Sequence, residues 1–225
     1  MHFNYAIHYL REYLFPKGCG SCGEALLAIN DTYYGLCAAC RDFLNSDFLL
    51  KKQHQKTQWL ENIIALFPYR GRFKKILAAY KFGRSIGIGN FFTGFYISAM
   101  DRLFHESGEN EAVNKLVWVP VPPRPGKKIK QGWDQIDYIS RLLEKQYKIP
   151  VSRCLKRLPS KSQKELNREE RVVNLKGRIL CRGKAPDYVV LFDDVITTGS
   201  TLEASAKALL ESGAKKVYGI CLFYD

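Results

Sequence analysis

Val189-Val190-Leu191-Phe192-Asp193-Asp194-Val195-Ile196-Thr197-Thr198-Gly199-Ser200-Thr201 decides how this chain folds. Four consecutive apolar residues, bounded by Pro186 and two acids, read as a strand buried on both faces. The strand ends in an acidic pair, and small or hydroxylated residues then turn into a helix beginning near Thr201. Thr, Gly and Ser at a helix start offer several backbone N–H groups and hydroxyls to one phosphate, helped by the positive end of the helix dipole. Paired carboxylates at the carboxyl end of a central strand accept hydrogen bonds from neighbouring sugar hydroxyls. Phosphate cradle plus diol acceptors describe a site for ribose 5-phosphate. The alternative is an ordinary strand–turn–helix with a surface acidic pair.

A second cluster lies near the amino terminus. Cys19-Gly-Ser-Cys22-Gly23 and Cys37-Ala-Ala-Cys40 supply four soft ligands at the spacing of a tetrahedral Zn²⁺ site. The stretch from Ala25 to Gly35 is long enough for a small hairpin, so a zinc-ribbon-like or treble-clef-like module is expected. Two disulfides are the alternative, disfavoured in a reducing compartment. A structural role for the metal follows from size, because about 40 residues have too little core to fold without a staple.

Length, charge and patterning frame these two sites. A chain of 225 residues with 46% hydrophobic and 25% charged content is an ordinary globular chain with room for a large core. The net charge of +13 is unevenly spread: +1 over residues 1–60, +3 over 61–110, +12 over 111–184 and −3 over 185–225. Such an excess attracts polyanions, whether a diphosphate ligand or single-stranded nucleic acid, and equally serves solubility. Met1 to Phe15 has no secretory pattern, and the longest uncharged run, Ser85 to Met100, falls short of the ~18 residues a membrane span needs. A cytoplasmic protein without membrane insertion is expected.

Phe3, Ile7, Leu10 and Leu14 predict an amphipathic helix, and residues 45–60 read as a polar linker. The spacing predicts a strand over Asn62 to Tyr69, helices over Gly71 to Phe82 and Ile88 to Phe104, and a strand over Lys115 to Val121. Tyr69, Phe73 and Tyr80 interleave with basic residues, which fits either stacking of a nucleic-acid strand or a solvated helix face. Pro120-Val121-Pro122-Pro123-Arg124-Pro125 forms a stiff loop that presents Arg124 to an anion. Lys127, Lys128 and Lys130 lie in a glycine-flanked basic loop suited to act as a lid over phosphates, or simply to face solvent. Lys161 to Asn174 predicts a weakly anchored helix, and Leu202 to Ser212 with Val217 to Phe223 closes a strand–helix–strand unit of a parallel sheet. The four histidines, His2, His8, His54 and His105, fall outside every motif.

The thirteen residues from Val189 resemble, position by position, the phosphoribosyl-pyrophosphate (PRPP) signature of type I phosphoribosyltransferases. With the cysteine pairs, Val119-Pro120-Val121-Pro122, Gly132-Trp133-Asp134-Gln135, and Gln163, Leu166, Arg171 and Asn174, the chain resembles the ComF/GntX family over essentially its whole length. It departs at Gln131-Gly132-Trp133-Asp134-Gln135, where the family reads Arg-Gly-Phe-Asn-Gln. The resemblance implies an α/β fold, a type I phosphoribosyltransferase-like parallel sheet flanked by helices and preceded by the small zinc module. The expected domains are 1–45, a linker at 46–60, and 61–225.

The resemblance further implies a role in natural transformation (DNA uptake and the handling of single-stranded DNA), with competence helicase and recombination-mediator proteins as partners. On this reading Thr197, Thr198, Gly199, Ser200, Thr201 and Arg124 bind PRPP, and Asp193 and Asp194 are catalytic. Mg²⁺ accompanies PRPP, and Cys19, Cys22, Cys37 and Cys40 hold zinc. Lys127, Lys128 and Lys130 serve as lid or nucleic-acid contacts. Hypoxanthine–guanine enzymes carry a catalytic Asp at the position matching Thr197, which argues against a 6-oxopurine acceptor. Transfer of a phosphoribosyl group and non-catalytic binding of single-stranded nucleic acid, with the pocket as a ligand sensor or vestige, both stay open.

Overall fold

The computed structural model describes residues 17–50, 53–54, 57–83, 85–107, 115–127, 132–159 and 178–225. The helices expected at Phe3–Leu14 and Lys161–Asn174, and the lysines at 128 and 130, lie outside the described residues. No helix among the described residues is long and apolar enough to cross a membrane.

A five-stranded sheet organises the fold. Its strands are β1 (Gln53–His54), β2 (Ile63–Pro68), β3 (Leu116–Pro120), β6 (Tyr188–Ile196) and β7 (Lys216–Tyr224), in the order β1-β2-β7-β6-β3. All neighbours run parallel except the short β1, which pairs antiparallel with β2. Successive residues of β6 face opposite sides, so its apolar run fills two cores. Val190 and Phe192 join the core under helices α3 (Gly71–Lys81), α4 (Ile86–Ser107) and α5 (Gln135–Gln146). Val189 and Leu191 join the core under α6 (Ser200–Glu211), which contributes Leu202, Ala206 and Leu209. The acids do not end the strand, as the sequence reading expects: β6 continues through them to Ile196, paired with Tyr224 of β7.

Two further strands, β4 (Leu155–Arg157) and β5 (Ile179–Cys181), form an antiparallel ribbon packed on the α6 side. The sequence reading contains no such ribbon. Three-residue strands give too short a period-2 pattern to register.

The cysteine module is built around a tight knuckle, in which Cys19 N–H donates to Glu24 O at 2.7 Å and Gly23 N–H to Cys19 O at 2.9 Å. Where the sequence leaves room for a hairpin there is instead a six-residue helix, α1 (Ile29–Tyr34). Gly35, at φ 65°, ends α1 in the left-handed conformation that glycine adopts without strain. Asp31 also accepts from Arg41 at 2.6 Å, tying α1 to α2 (Ala38–Leu50), whose first turn carries Cys40. The residues expected as linker, 46–60, hold the end of α2 and the strand β1. Cys19, Leu36, Leu44 and Phe48 belong to the same buried cluster as Phe67, Phe73 and Ile88.

The module meets α4 at Gly87, where an added Cβ would lie 2.5 Å from Tyr33 O and 2.6 Å from Tyr34 C. Seven residues along the same helix, Gly94 faces open space. Gly87→Ala is therefore expected to destabilise the protein by about 1–3 kcal/mol through overpacking. Gly94→Ala should instead stabilise it, by up to about 1 kcal/mol, through helix propensity. Urea unfolding of the two variants beside the parent checks the pair; equal effects would refute the close approach at Gly87.

Candidate functional site

Register alone assembles one end of the site. Pairing of Pro120 with Phe192, followed by the Val121 N–H to Phe192 O bond at 3.0 Å, carries the proline-rich loop alongside Asp193. Arg124 and residues 195–202 then line a cavity of about 240 Å³ over the start of α6. Gly199 stands at the N-cap of α6 with φ 73°, a left-handed conformation that a β-carbon would strain. The Thr198 and Ser200 hydroxyls lie 2.9 Å apart, and Glu203 N–H donates to Gly199 O at 2.9 Å. The earlier amides of the turn have no intrahelical acceptor, which makes this helix start a cradle for an anion.

The acidic pair is asymmetric. Asp194 is buried, and its Oδ2 accepts from Gln135 Nε2 at 2.5 Å and from Lys81 Nζ at 3.0 Å. Asp193 Oδ1 accepts from the Asp194 N–H at 2.8 Å, and Tyr96 donates its hydroxyl to the Asp193 carbonyl at 2.6 Å. Burial, and then the Asp194 carboxylate, raise the Asp193 carboxyl from its ordinary value to about 7, against the Asp194 amide, Lys81 and Lys127, which lower it. Both acids, Thr197, Thr201, Arg124 and Lys127 border one open cleft of about 820 Å³.

Two partners of Asp194 carry roles the sequence reading does not give them. Lys81 stands in the basic helix that could be only a solvated face, and Gln135 in a motif given no task. The structure holds both in place through Trp133, whose indole N–H donates to Lys81 O at 3.1 Å and whose ring meets Tyr80 edge-on at 5.2 Å. Tyr80 in turn donates its hydroxyl to Gln135 O at 2.6 Å. Asp134, the departure from the family pattern, caps α5: its Oδ1 accepts from the N–H groups of Ile136 and Asp137 at 3.1 and 2.9 Å. Its Oδ2 pairs with Lys127 at 2.8 Å, so the first of the three expected lid lysines is anchored to a helix cap. Phe73 and Tyr80 are fully enclosed in the core. They cannot stack on a nucleic-acid base, and the basic helix presents its lysines and arginines without them.

At the other site, the Sγ atoms of Cys19, Cys22, Cys37 and Cys40 all lie within 4.8 Å of one another, and Cys22 and Cys37 stand 3.7 Å apart. A tetrahedral Zn²⁺ with zinc–sulfur bonds of about 2.3 Å needs sulfur–sulfur edges of about 3.8 Å. The donor set therefore fits structural zinc. Burial raises the Cys19 thiol, but the amides of Cys22, Cys37 and Ser21 outweigh it and bring it down to about 7. Burial lifts Cys37 to about 12.

The Asp193 carboxyl sets a pH dependence of stability. Its folded value lies above the ordinary aspartate value of 3.8, so its contribution is fully present below about pH 4 and is lost as pH rises through about 7. Asp193→Asn keeps the acceptor for the Asp194 amide and removes the titration. The melting temperature of this variant should match the parent at pH 4 and exceed it by a few degrees at pH 8. A difference that stays constant across that range would show that Asp193 ionises without penalty.

No family model matches the chain. It is similar to competence protein ComFC of Bacillus subtilis, with 25% identity over 210 residues covering 88% of this chain and 79% of that protein. Competence protein F of Haemophilus influenzae is 27% identical over 212 residues, covering 90% of this chain and 82% of the relative. A shorter match, 37% over 82 residues, reaches 22% of the ribose-phosphate pyrophosphokinase of Bacillus caldolyticus. The parallel sheet flanked by helices and the four-cysteine cluster accord with these similarities. The chain resembles ComF-type competence proteins along nearly its whole length and carries a type I phosphoribosyltransferase-like fold behind an amino-terminal four-cysteine module.

Proposed function

We propose that this chain binds PRPP or a related phosphoribosyl compound and serves DNA uptake, handling incoming single strands in the cytoplasm with helicase and recombination-mediator partners. The observation that carries this reading is the meeting of two adjoining cavities, one lined by the αL Gly199 cradle and the other by Asp194, which share Arg124, Asp193, Thr197 and Thr201. In this assignment Thr197, Thr198, Gly199, Ser200 and Thr201 hold the 5-phosphate. Asp193 and Asp194 accept hydrogen bonds from the ribose hydroxyls, and Arg124 and Lys127 neutralise a pyrophosphate. The competence role rests on similarity to the competence proteins named above.

Mg²⁺ fits the cleft as a partner of ligand oxygens. Asp194 is already compensated by Lys81, which leaves Asp193 as the carboxylate to hold the ion. The bound cation would supply neutralisation of the diphosphate charge. Transfer would then consist of an acceptor attacking C1 of the ribose while the bond from C1 to the pyrophosphate oxygen breaks. The electron pair leaves with pyrophosphate, stabilised by Arg124 and Lys127. Thr197 bears no carboxylate, so it cannot take a proton from the acceptor.

That same feature favours a second reading, in which the pocket binds its ligand without turnover and reports it to a nucleic-acid-binding surface. Calorimetry with PRPP and Mg²⁺ should show saturable binding that the double change Asp193→Asn, Asp194→Asn abolishes; the absence of heat from the native protein would sink the phosphoribosyl assignment. Pyrophosphate release in the presence of mixed acceptors, DNA included, separates transfer from sensing. Binding of single strands should weaken steeply with salt, because Lys and Arg contacts displace condensed counterions. Affinity that ignores salt would remove the DNA-handling part of the proposal.

A further inference from the structure

Two thiols stand apart from the metal cluster, on the ribbon that borders the cleft. Of the seven cysteines, four make up the cluster and Cys221 is fully enclosed, which leaves Cys154 and Cys181, both half-buried. Backbone pairing brings them together. Leu155 of β4 stands opposite Cys181 of β5, and the ladder runs one step further, where Arg182 N–H donates to Cys154 O at 2.9 Å. Cys154 and Cys181 are thus one residue out of register. Strand separation combined with one residue of rise places such Cα atoms about 6 Å apart, inside the range of about 4.4–6.8 Å that a disulfide spans.

Strict alternation along a strand would send the two side chains to opposite faces, but Cys154 precedes the first residue of β4. Both thiols pack against the apolar cluster under α6 that holds Leu155, Ile179 and Ala208. They are also hydrogen-bonded to each other. Burial lifts the Cys154 thiol to about 11, with Ser152 opposing the rise and Cys181 adding to it. Cys181 is the more approachable sulfur, since its Sγ donates to Gly183 O at 3.8 Å in an exposed contact. At the other end of β4, Arg157 is buried and borders the cleft. Each strand of this ribbon has three residues, and so short a two-stranded ladder is marginal by itself.

We propose that Cys154 and Cys181 are a redox modification site, a thiol pair that low-molecular-weight disulfides of the glutathione class convert into a disulfide stapling β4 to β5. The Cys181 thiolate attacks one sulfur of the small disulfide, whose S–S bond breaks, and one half leaves as a thiolate. Cys154, having lost its proton, then attacks the Cys181 sulfur; the second half leaves and the protein S–S bond forms. The protons given up by the two cysteines end on the two departing thiolates. Two protein thiols are thereby oxidised, and one small disulfide is reduced to two thiols. In a reducing compartment the pair rests as thiols, and an excess of small thiol reverses the exchange. The staple holds closed the element that carries Arg157 to the cleft wall.

The test uses the zinc-supplemented protein, incubated with oxidised glutathione and then alkylated. It should lose two thiols, and peptide mapping should place the bond between Cys154 and Cys181, while a chromophoric chelator detects no released metal. The melting temperature should rise by about 5–10 °C, because a cross-link over residues 155–180 removes unfolded-state entropy, and should return on addition of reduced glutathione. Exchange of the Arg182 amide hydrogen should slow by about tenfold or more. Cys154→Ala should stop at a mixed disulfide on Cys181, with no such rise in melting temperature. Thiols that stay unreacted, a bond mapped to the four clustered cysteines, a parent protein that stops at the mixed disulfide, or an oxidised protein that melts below the reduced one would each overturn the proposal.

Discussion

The Asp194 carboxylate, with Lys81 on one side and Gln135 on the other, is the junction on which the cleft depends. A charge within a central strand is expensive to bury, and it is tolerated here because an ammonium and an amide converge on one oxygen. Lys81 comes from the last turn of α3 and Gln135 from the first turn of α5. The strand is thereby fastened to two helices that are far apart in sequence. Trp133 and Tyr80 then fix those helix ends to each other, through the indole bond to Lys81 O and the phenol bond to Gln135 O. Loss of the carboxylate would leave a lysine and a glutamine side chain without their acceptor.

This arrangement divides labour within a motif that looks symmetric. Asp194 is fastened to Lys81 and Gln135 through its Oδ2, while Asp193 lies next to the loop and carries the raised carboxyl pKa. Sequence patterns present the two acids as interchangeable neighbours, but alternation along β6 sends them to opposite sides. The strand continues through both because Val195 and Ile196 still pair with Phe223 and Tyr224. Reading the acids as a strand end mistakes a change of side-chain character for a change of backbone geometry.

Much of the fold was legible because its signals are long or chemically unusual. The buried run at 189–192, the two Cys-x-x-Cys pairs and the apolar spacing of Phe73, Ile76, Leu77 and Tyr80 each predict an element that the structure contains. The β4–β5 ribbon was hidden by its three-residue strands, and α1 by a segment whose only helix signals are Asp31 in its first turn and Gly35 at its end. Lys81, Gln135 and Arg157 carry no sequence signal for a different reason. Each is an ordinary surface residue type, and its position beside the acids or in the cleft comes from tertiary packing between elements 50 or more residues apart or from a short ribbon. A basic count over residues 111–184 contains Arg157 but cannot separate one buried guanidinium from the other basic residues in the segment.

Helix α4 has a bearing on how variants of this protein are interpreted. Near its first turn it is wedged against the cysteine module at Gly87, and less than three turns later its Tyr96 holds the Asp193 carbonyl. At 1.5 Å per residue, these two points are about 14 Å apart on one continuous helix. Damage to the cysteine knuckle is therefore felt along a rigid rod whose Tyr96 holds the main chain of the acidic pair. In a genetic scan, cysteine substitutions and cleft substitutions would fall into one phenotypic class, although no cysteine lines the cleft. Assigning chemistry to a cysteine on the strength of lost function would be an error that this geometry invites.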